Sequence, residues 1–283
     1  MQLYIKETSV KSVIFIFLAV FSYLANADKA FEIPRSEVIE LQEPTIKRVY
    51  PLFVKLPRSY NSSADKKYPV IYLMDAWYSF QIVSGATRFP MNRGGMEEAI
   101  IVGISYSKGS TDNSSRVRDY TPVKDEGWKR ETGNANGYSK FIKEVVFPYI
   151  ENNYRAAPSR RTFVGNSLGG LLGAYILFNS PDMFDSYIIG SPSVWYKNNY
   201  ILSQPMKMPR TPVKVYLSVG SLEMPTFGAR NDMVAGAKAL AIKLNKQLKS
   251  RVDLKLSIIK DASHATAFPT TAIQGLDWIY GKK

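Results

Sequence analysis

Arg161-Thr-Phe-Val-Gly165-Asn-Ser167-Leu-Gly169-Gly-Leu-Leu-Gly-Ala-Tyr-Ile-Leu177 places a Gly-x-Ser-x-Gly pentapeptide between an apolar strand-like run and an apolar helix-like run. The pentapeptide alone arises by chance in a chain of this length about one time in ten, so its flanks carry the weight. A serine presented on a sharp strand-to-helix turn needs a strand to deliver it, a helix that departs at once, and glycines that let the two approach closely. Arg161 to Gly165 supplies the strand. Leu168, Leu171, Leu172, Ala174, Tyr175 and Leu177 supply the helix, and Asn179-Ser180-Pro181 ends it, because proline cannot continue a helix and disfavours it in the residue before. Gly170 and Gly173 sit inside this helix at a cost in propensity, which close packing beside the turn would explain.

Working outward, strand and helix patterns alternate. Tyr68 to Met74 and Ala99 to Tyr106 are short apolar runs that read as buried parallel strands, the first followed by Asp75. Tyr138, Phe141, Ile142, Val145, Val146, Tyr149 and Ile150 recur at helical spacing. Ser186 to Gly190 and Val213 to Val219 are further strands. Met233, Ala237, Leu240, Ala241, Leu244 and Leu248 form one helix face. Val252, Leu254, Leu256 and Ile258 alternate with polar residues as in a half-buried strand, and Thr271 to Tyr280 reads as a closing helix. This predicts an α/β fold, a mostly parallel central sheet with helices on both faces.

Ser167, Asp75, Glu223 and His264 each follow a strand and fall at one edge of that sheet, where open α/β sheets place their sites. A serine hydroxyl is a poor nucleophile until a base takes its proton. His264 is the only histidine in the chain, so it is the one imidazole available. Its second ring nitrogen needs an acceptor. Glu223 is the first choice, since it gives the chain order serine, acid, histidine; Asp261 and Asp232 are alternatives, the latter also readable as a helix-start residue. An oxyanion would need backbone donors. Leu168 N–H is one, and the second is Ala76 or Trp77.

The chain begins like an export signal. Lys6 and Lys11 precede the apolar run Val13 to Phe21, and Ala25-Asn26-Ala27 has the small-x-small pattern of a cleavage site, which predicts a leader over 1–27 and a single domain over 28–283. The apolar stretch is shorter than the ~20 residues a membrane span needs, so no stable membrane insertion is expected after cleavage. The destination is periplasmic or secreted. There is no cysteine, so no disulfide forms and core packing must hold the domain. The formal net charge of +13 falls to +12 without the leader, which carries Lys6, Lys11 and Glu7. The basic residues are scattered and no nucleic-acid motif accompanies them, so no nucleic-acid partner is expected. The polar segment Ser107 to Gly133 has the composition of a mobile loop over the site, with Trp128 a candidate ligand contact and Arg116 suited to an anionic ester.

From about Val49 onward the chain resembles the putative-esterase branch of the α/β-hydrolases, which includes enterochelin and salmochelin esterases, feruloyl and acetyl-xylan esterases, S-formylglutathione hydrolases and mycolyltransferases. The residues that carry the resemblance are Lys67-Tyr-Pro-Val-Ile-Tyr-Leu-Met-Asp75, Ile101-Val-Gly-Ile-Ser-Tyr106, Arg118-Asp-Tyr-Thr-Pro122, Gly165-Asn-Ser-Leu-Gly-Gly170, Ser191-Pro-Ser-Val-Trp195 and Ser263-His264. The Arg-Asp-Tyr-Thr-Pro and Ser-Pro-Ser-x-Trp segments are most similar to the periplasmic siderophore-esterase group. The resemblance implies an α/β-hydrolase fold and hydrolysis of carboxylic esters by Ser167 and His264, without metal or organic cofactor. It also implies substrate contacts from Asp75, Arg118 and Trp195, though Arg118 with Asp119 also reads as a structural ion pair and Trp195 as a core aromatic. Some members of the group work with a serine–histidine dyad. The chain departs from the pattern at Asp75-Ala76, where relatives often have Asp-Gly. An acyltransferase using the same residues and a binding protein on a hydrolase scaffold are the competing readings. The expected partner is a small-molecule or glycan ester, and the sequence leaves the oligomeric state open.

Overall fold

The structure, a computed structural model, describes residues 31–111 and 113–282; the expected leader lies outside the described residues. Eight strands form one sheet in the order β1-β2-β4-β3-β5-β6-β7-β8. They are β1 (Ser36–Gln42), β2 (Val49–Lys55), β3 (Tyr68–Leu73), β4 (Ile100–Ile104), β5 (Ala156–Asn166), β6 (Ser186–Gly190), β7 (Val213–Gly220) and β8 (Val252–Ile259). β2 runs antiparallel to both of its neighbours, and every pairing from β4 across to β8 is parallel. The carboxyl ends of β3, β5, β6, β7 and β8 therefore open at one edge. The expected mostly parallel sheet is present; β1 and β2 were not legible in the sequence.

The helices are α1 (Ala76–Asn92), α2 (Ser114–Tyr120), α3 (Ala135–Phe141), α4 (Phe147–Asn153), α5 (Leu168–Asn179), α6 (Tyr196–Ser203), α7 (Met233–Leu248) and α8 (Ala267–Tyr280). Side chains of a strand alternate between faces, so β3 divides its residues between two cores. Val70 and Tyr72 join Phe163 of β5, Leu171 and Leu172 of α5 and Leu240 of α7 on one face. Ile71 and Leu73 join Val164, Phe80 and Val83 of α1 and Leu276 of α8 on the other. Helices thus cover both faces, as a parallel sheet buried on both sides requires.

Two elements depart from expectation. The helix expected across Tyr138 to Ile150 is present as one helical run over 135–153, but it widens to a π turn at Ile142–Val146, between α3 and α4. Pro148 follows that turn, and proline has no N–H to give to the carbonyl four residues back. Ser107 to Gly133 is not loop throughout. It contains α2, in which Ser115, Val117, Arg118, Asp119 and Tyr120 are all buried. The buried polar residues of α2 bond to one another and to the body, while Lys124, Glu126, Lys129, Arg130 and Glu131 beyond it stay exposed.

Candidate active site

Ser167 is the residue between β5 and α5, with φ 60 and ψ −119. Such a backbone costs about 1–3 kcal/mol for a residue other than glycine and is the strain a nucleophile elbow carries. The turn is tight. A Cβ on Gly165 would run into the Gly169 carbonyl, and one on Gly173 would strike the Phe163 ring, so these glycines set how closely α5 lies against β5. α5 is apolar on nearly every side and buried between β5, β6 and the helices that flank it, which fixes the serine from behind.

His264 follows β8 and Glu223 follows β7. Backbone bonds from Ser221 N–H to Ile259 O at 2.9 Å and from Leu222 N–H to Ala262 O at 3.0 Å tie the two loops together. His264 Nδ1 lies 2.6 Å from Glu223 Oε2, the imidazole being about half exposed and the carboxylate fully buried. The other carboxylate oxygen accepts from Ser191 Oγ at 2.6 Å and from Gly220 N–H at 2.7 Å. Burial by itself would raise the Glu223 carboxyl, but the hydrogen bonds from His264, Ser191 and Gly220 outweigh it and hold the group below its ordinary value. Glu223 is therefore an ionised acceptor, able to fix the tautomer that leaves Nε2 free.

The two alternative acids do not reach the imidazole. Asp232 caps α7, accepting from Ala235 N–H at 2.8 Å, and Asp261 is exposed in a left-handed turn. Ser167 Oγ lies 3.4 Å from Ser193 Oγ rather than on the imidazole. Ser167, Glu223 and His264 all line one cavity of about 490 Å³. Catalytic hydrogen bonds are commonly loose without substrate.

Leu168 and Ala76 are the first residues of α5 and α1, whose leading N–H groups have no partner within the helix. The two helix starts adjoin: a Cβ on Gly169 would lie 3.3 Å from Asp75 Oδ2. The left-handed residue of this turn is Asp75, with φ 57, so Ala76 takes an ordinary helical conformation and its Cβ brings no strain where relatives often have glycine. Ala76 is buried, while the Trp77 ring is exposed and packs edge-on against Phe53.

Of the residues expected to touch substrate, Trp195 lines the cavity, stacked on Trp128 with ring centroids 6.3 Å apart. Asp75 does not reach it: its fully buried carboxylate is taken by Arg116 and by Tyr106 OH at 2.8 Å. Arg118 does not line the cavity either. It is buried within α2, and its guanidinium forks onto Asp119, 2.8 Å to each carboxylate oxygen. Asp119 further accepts from Tyr50 OH, Ser115 Oγ and Asn134 Nδ2. A buried carboxylate needs this compensation, which fits the reading of Arg118 with Asp119 as a structural ion pair. The cavity also takes in Ser193, from the Ser-Pro-Ser-x-Trp segment, Met233 at the start of α7, and Leu222, Phe227 and Arg230, which no motif singled out. Most of them sit in a connection whose composition carries no signal.

Residues 44–267 match the family described as "Putative esterase". Over 226 residues the chain is 35% identical to the ferri-bacillibactin esterase BesA of Bacillus subtilis (strain 168), a match covering 73% of this chain and 77% of that protein. Among solved structures, the BES protein from Bacillus cereus superimposes with a TM-score of 0.76 at 27% identity, covering 90% of this chain and 99% of that one. The siderophore hydrolase EstA from Aspergillus nidulans superimposes with a TM-score of 0.73 at 21% identity, covering 89% and 98%, and shares the fold. With the sheet order, the serine at its strand-to-helix turn and a family match over most of its length, the chain belongs to the esterase family of the α/β-hydrolases.

Proposed function

We propose that this protein is an exported serine esterase acting on siderophore-type esters. The observation that carries it is the convergence of a strained Ser167, the imidazole of His264 and the buried carboxylate of Glu223 on one cavity. Ser167 Oγ attacks the ester carbonyl as His264 Nε2 takes its proton. The negative charge on the carbonyl oxygen is met by Leu168 N–H and by Ala76 or Trp77 N–H. The imidazolium, steadied by Glu223, gives its proton to the departing alkoxide and leaves an acyl-enzyme. A water molecule, deprotonated by His264, then attacks the acyl carbon and releases the acid and Ser167.

The siderophore assignment rests on the activity named for BesA and on the cavity wall. Trp195 and Phe227 offer aromatic surface, and Arg230 puts a cation beside it, which suits an aromatic, anionic ester. Export rests on the leader over 1–27, and no helix among the described residues is long and apolar enough to cross a membrane.

The test is hydrolysis of a short p-nitrophenyl ester and of a catecholate trilactone by the 28–283 protein, beside Ser167→Ala and His264→Ala, with mass detection of a phosphonate adduct. Both variants are expected to lose at least about 10³-fold in kcat, with the label on Ser167. Wild-type protein that neither turns over nor takes label would leave a binding protein; label on Ser167 with acyl transfer to an added alcohol in preference to water would make it a transferase.

A further inference from the structure

Arg116 does something the two-loop geometry of the site requires. Its side chain is largely buried, and its fork spans two segments: Nε donates to Asp75 Oδ1 at 2.7 Å, Nη2 to Asp75 Oδ2 at 3.1 Å, and Nη2 also to the carbonyl of Asn166 at 3.2 Å. Asp75 immediately precedes Ala76, and Asn166 immediately precedes Ser167 and Leu168. The last backbone bond between the two segments is Met74 N–H to Val164 O, at 2.9 Å. Beyond it they depart into α1 and α5, and the guanidinium is the polar bridge between them.

The bridge is itself held. Tyr106 OH donates to Asp75 Oδ1 at 2.8 Å, Tyr120 OH accepts from Asp75 N–H at 3.1 Å, and the guanidinium lies 5.6 Å from the Tyr120 ring centroid. Burial opposes the Arg116 cation, but the Asp75 carboxylate outweighs it and the group stays charged.

We infer that Arg116 is a positioning residue that sets the separation of the two oxyanion donors, the N–H of Leu168 on one side and of Ala76 or Trp77 on the other. This rests on the serine-esterase function proposed above. Donors act only within ~2.7–3.1 Å of the developing oxyanion, and a displacement of about 1 Å costs on the order of 10²-fold in rate. A planar fork with fixed angles can hold two loops at a set spacing. A lysine ammonium, a single charge on a flexible stem, can neutralise Asp75 but cannot span to Asn166 in the same geometry.

The experiment compares wild type, Arg116→Lys and Arg116→Met. A phosphonate end-point titration first counts reactive Ser167 in each preparation, so that unfolded protein drops out. Rates per labelled site are then measured on a p-nitrophenyl ester and on its thiono analogue, whose sulfur accepts hydrogen bonds poorly and so gains little from the donors. Arg116→Lys is expected to lose about 10–100-fold in kcat per site, with KM within about threefold and a lower ester-to-thionoester rate ratio. Arg116→Met is expected to do the same with fewer labelled sites. Wild-type kcat per site and an unchanged ratio in Arg116→Lys overturn the assignment, as does a loss confined to the number of labelled sites, which would make Arg116 a purely structural ion-pair partner. Wild-type protein that takes no label on Ser167 overturns the serine mechanism itself, a result distinct from either.

Discussion

Ser167 occupies a backbone region that glycine adopts more readily than serine, so the residue proposed as nucleophile is held against local preference. Ser167→Gly should therefore be more stable than Ser167→Ala by about 1 kcal/mol, both being inactive, as read from urea midpoints. On the proposed mechanism Glu223 bears on rate, and its depressed carboxyl bears on pH dependence. Glu223→Gln keeps the shape but loses the charge that steadies the imidazolium, and kcat is expected to fall about 10³–10⁴-fold. Because the folded-state carboxyl is held below its ordinary value, its contribution to stability is present above the ordinary carboxylate range and is lost as pH falls through the depressed value. Denaturation midpoints from neutral to acid pH should accordingly fall less steeply in Glu223→Gln than in wild type.

At the scale of elements, α2 shows how a polar composition misleads. Arg118 and Asp119 stand side by side in a segment that reads as a loop, yet both are buried and satisfied by Tyr50, Ser115 and Asn134. Arg118→Met strands a buried carboxylate and is expected to cost about 3–5 kcal/mol in thermal or chemical denaturation, with KM unchanged for the protein that remains folded. Lys55, at the end of β2, is a second case. Burial, then Arg35 and Arg88, push its amine down to about 8. From there up to the unfolded amine's value the unfolded chain binds the extra proton, so stability rises with pH through that window. At neutral pH the buried cation is a burden, and Lys55→Met should stabilise the fold by on the order of 2 kcal/mol. β8 shows the limit of alternation: Val252 and Leu254 pack against the core, but Leu256 and Ile258, further along this edge strand, stay exposed.

For the whole molecule, a formal charge of +13 produces a field that draws anions, and a field of exposed charges is screened by salt. kcat/KM for an anionic siderophore ester should drop several-fold between about 10 mM and about 500 mM salt, while that for a neutral p-nitrophenyl ester stays level. The alternation of strand and helix, the turn at Ser167 and the sole imidazole are legible along the chain, because hydrophobic period, glycine placement and residue chemistry are local properties. The sequence also ordered the serine, the acid and the histidine along parallel strands, which is why their convergence at one sheet edge could be anticipated. Chain order favoured Glu223 over Asp232 and Asp261, but the contact with His264 itself depends on how the loops after β7 and β8 are tied together, which is a long-range property. The same holds for the arginines. Arg116 and Arg118 are two residues apart, yet one bridges the site and the other closes a buried ion pair, because burial and partner choice depend on which distant segments fold against them.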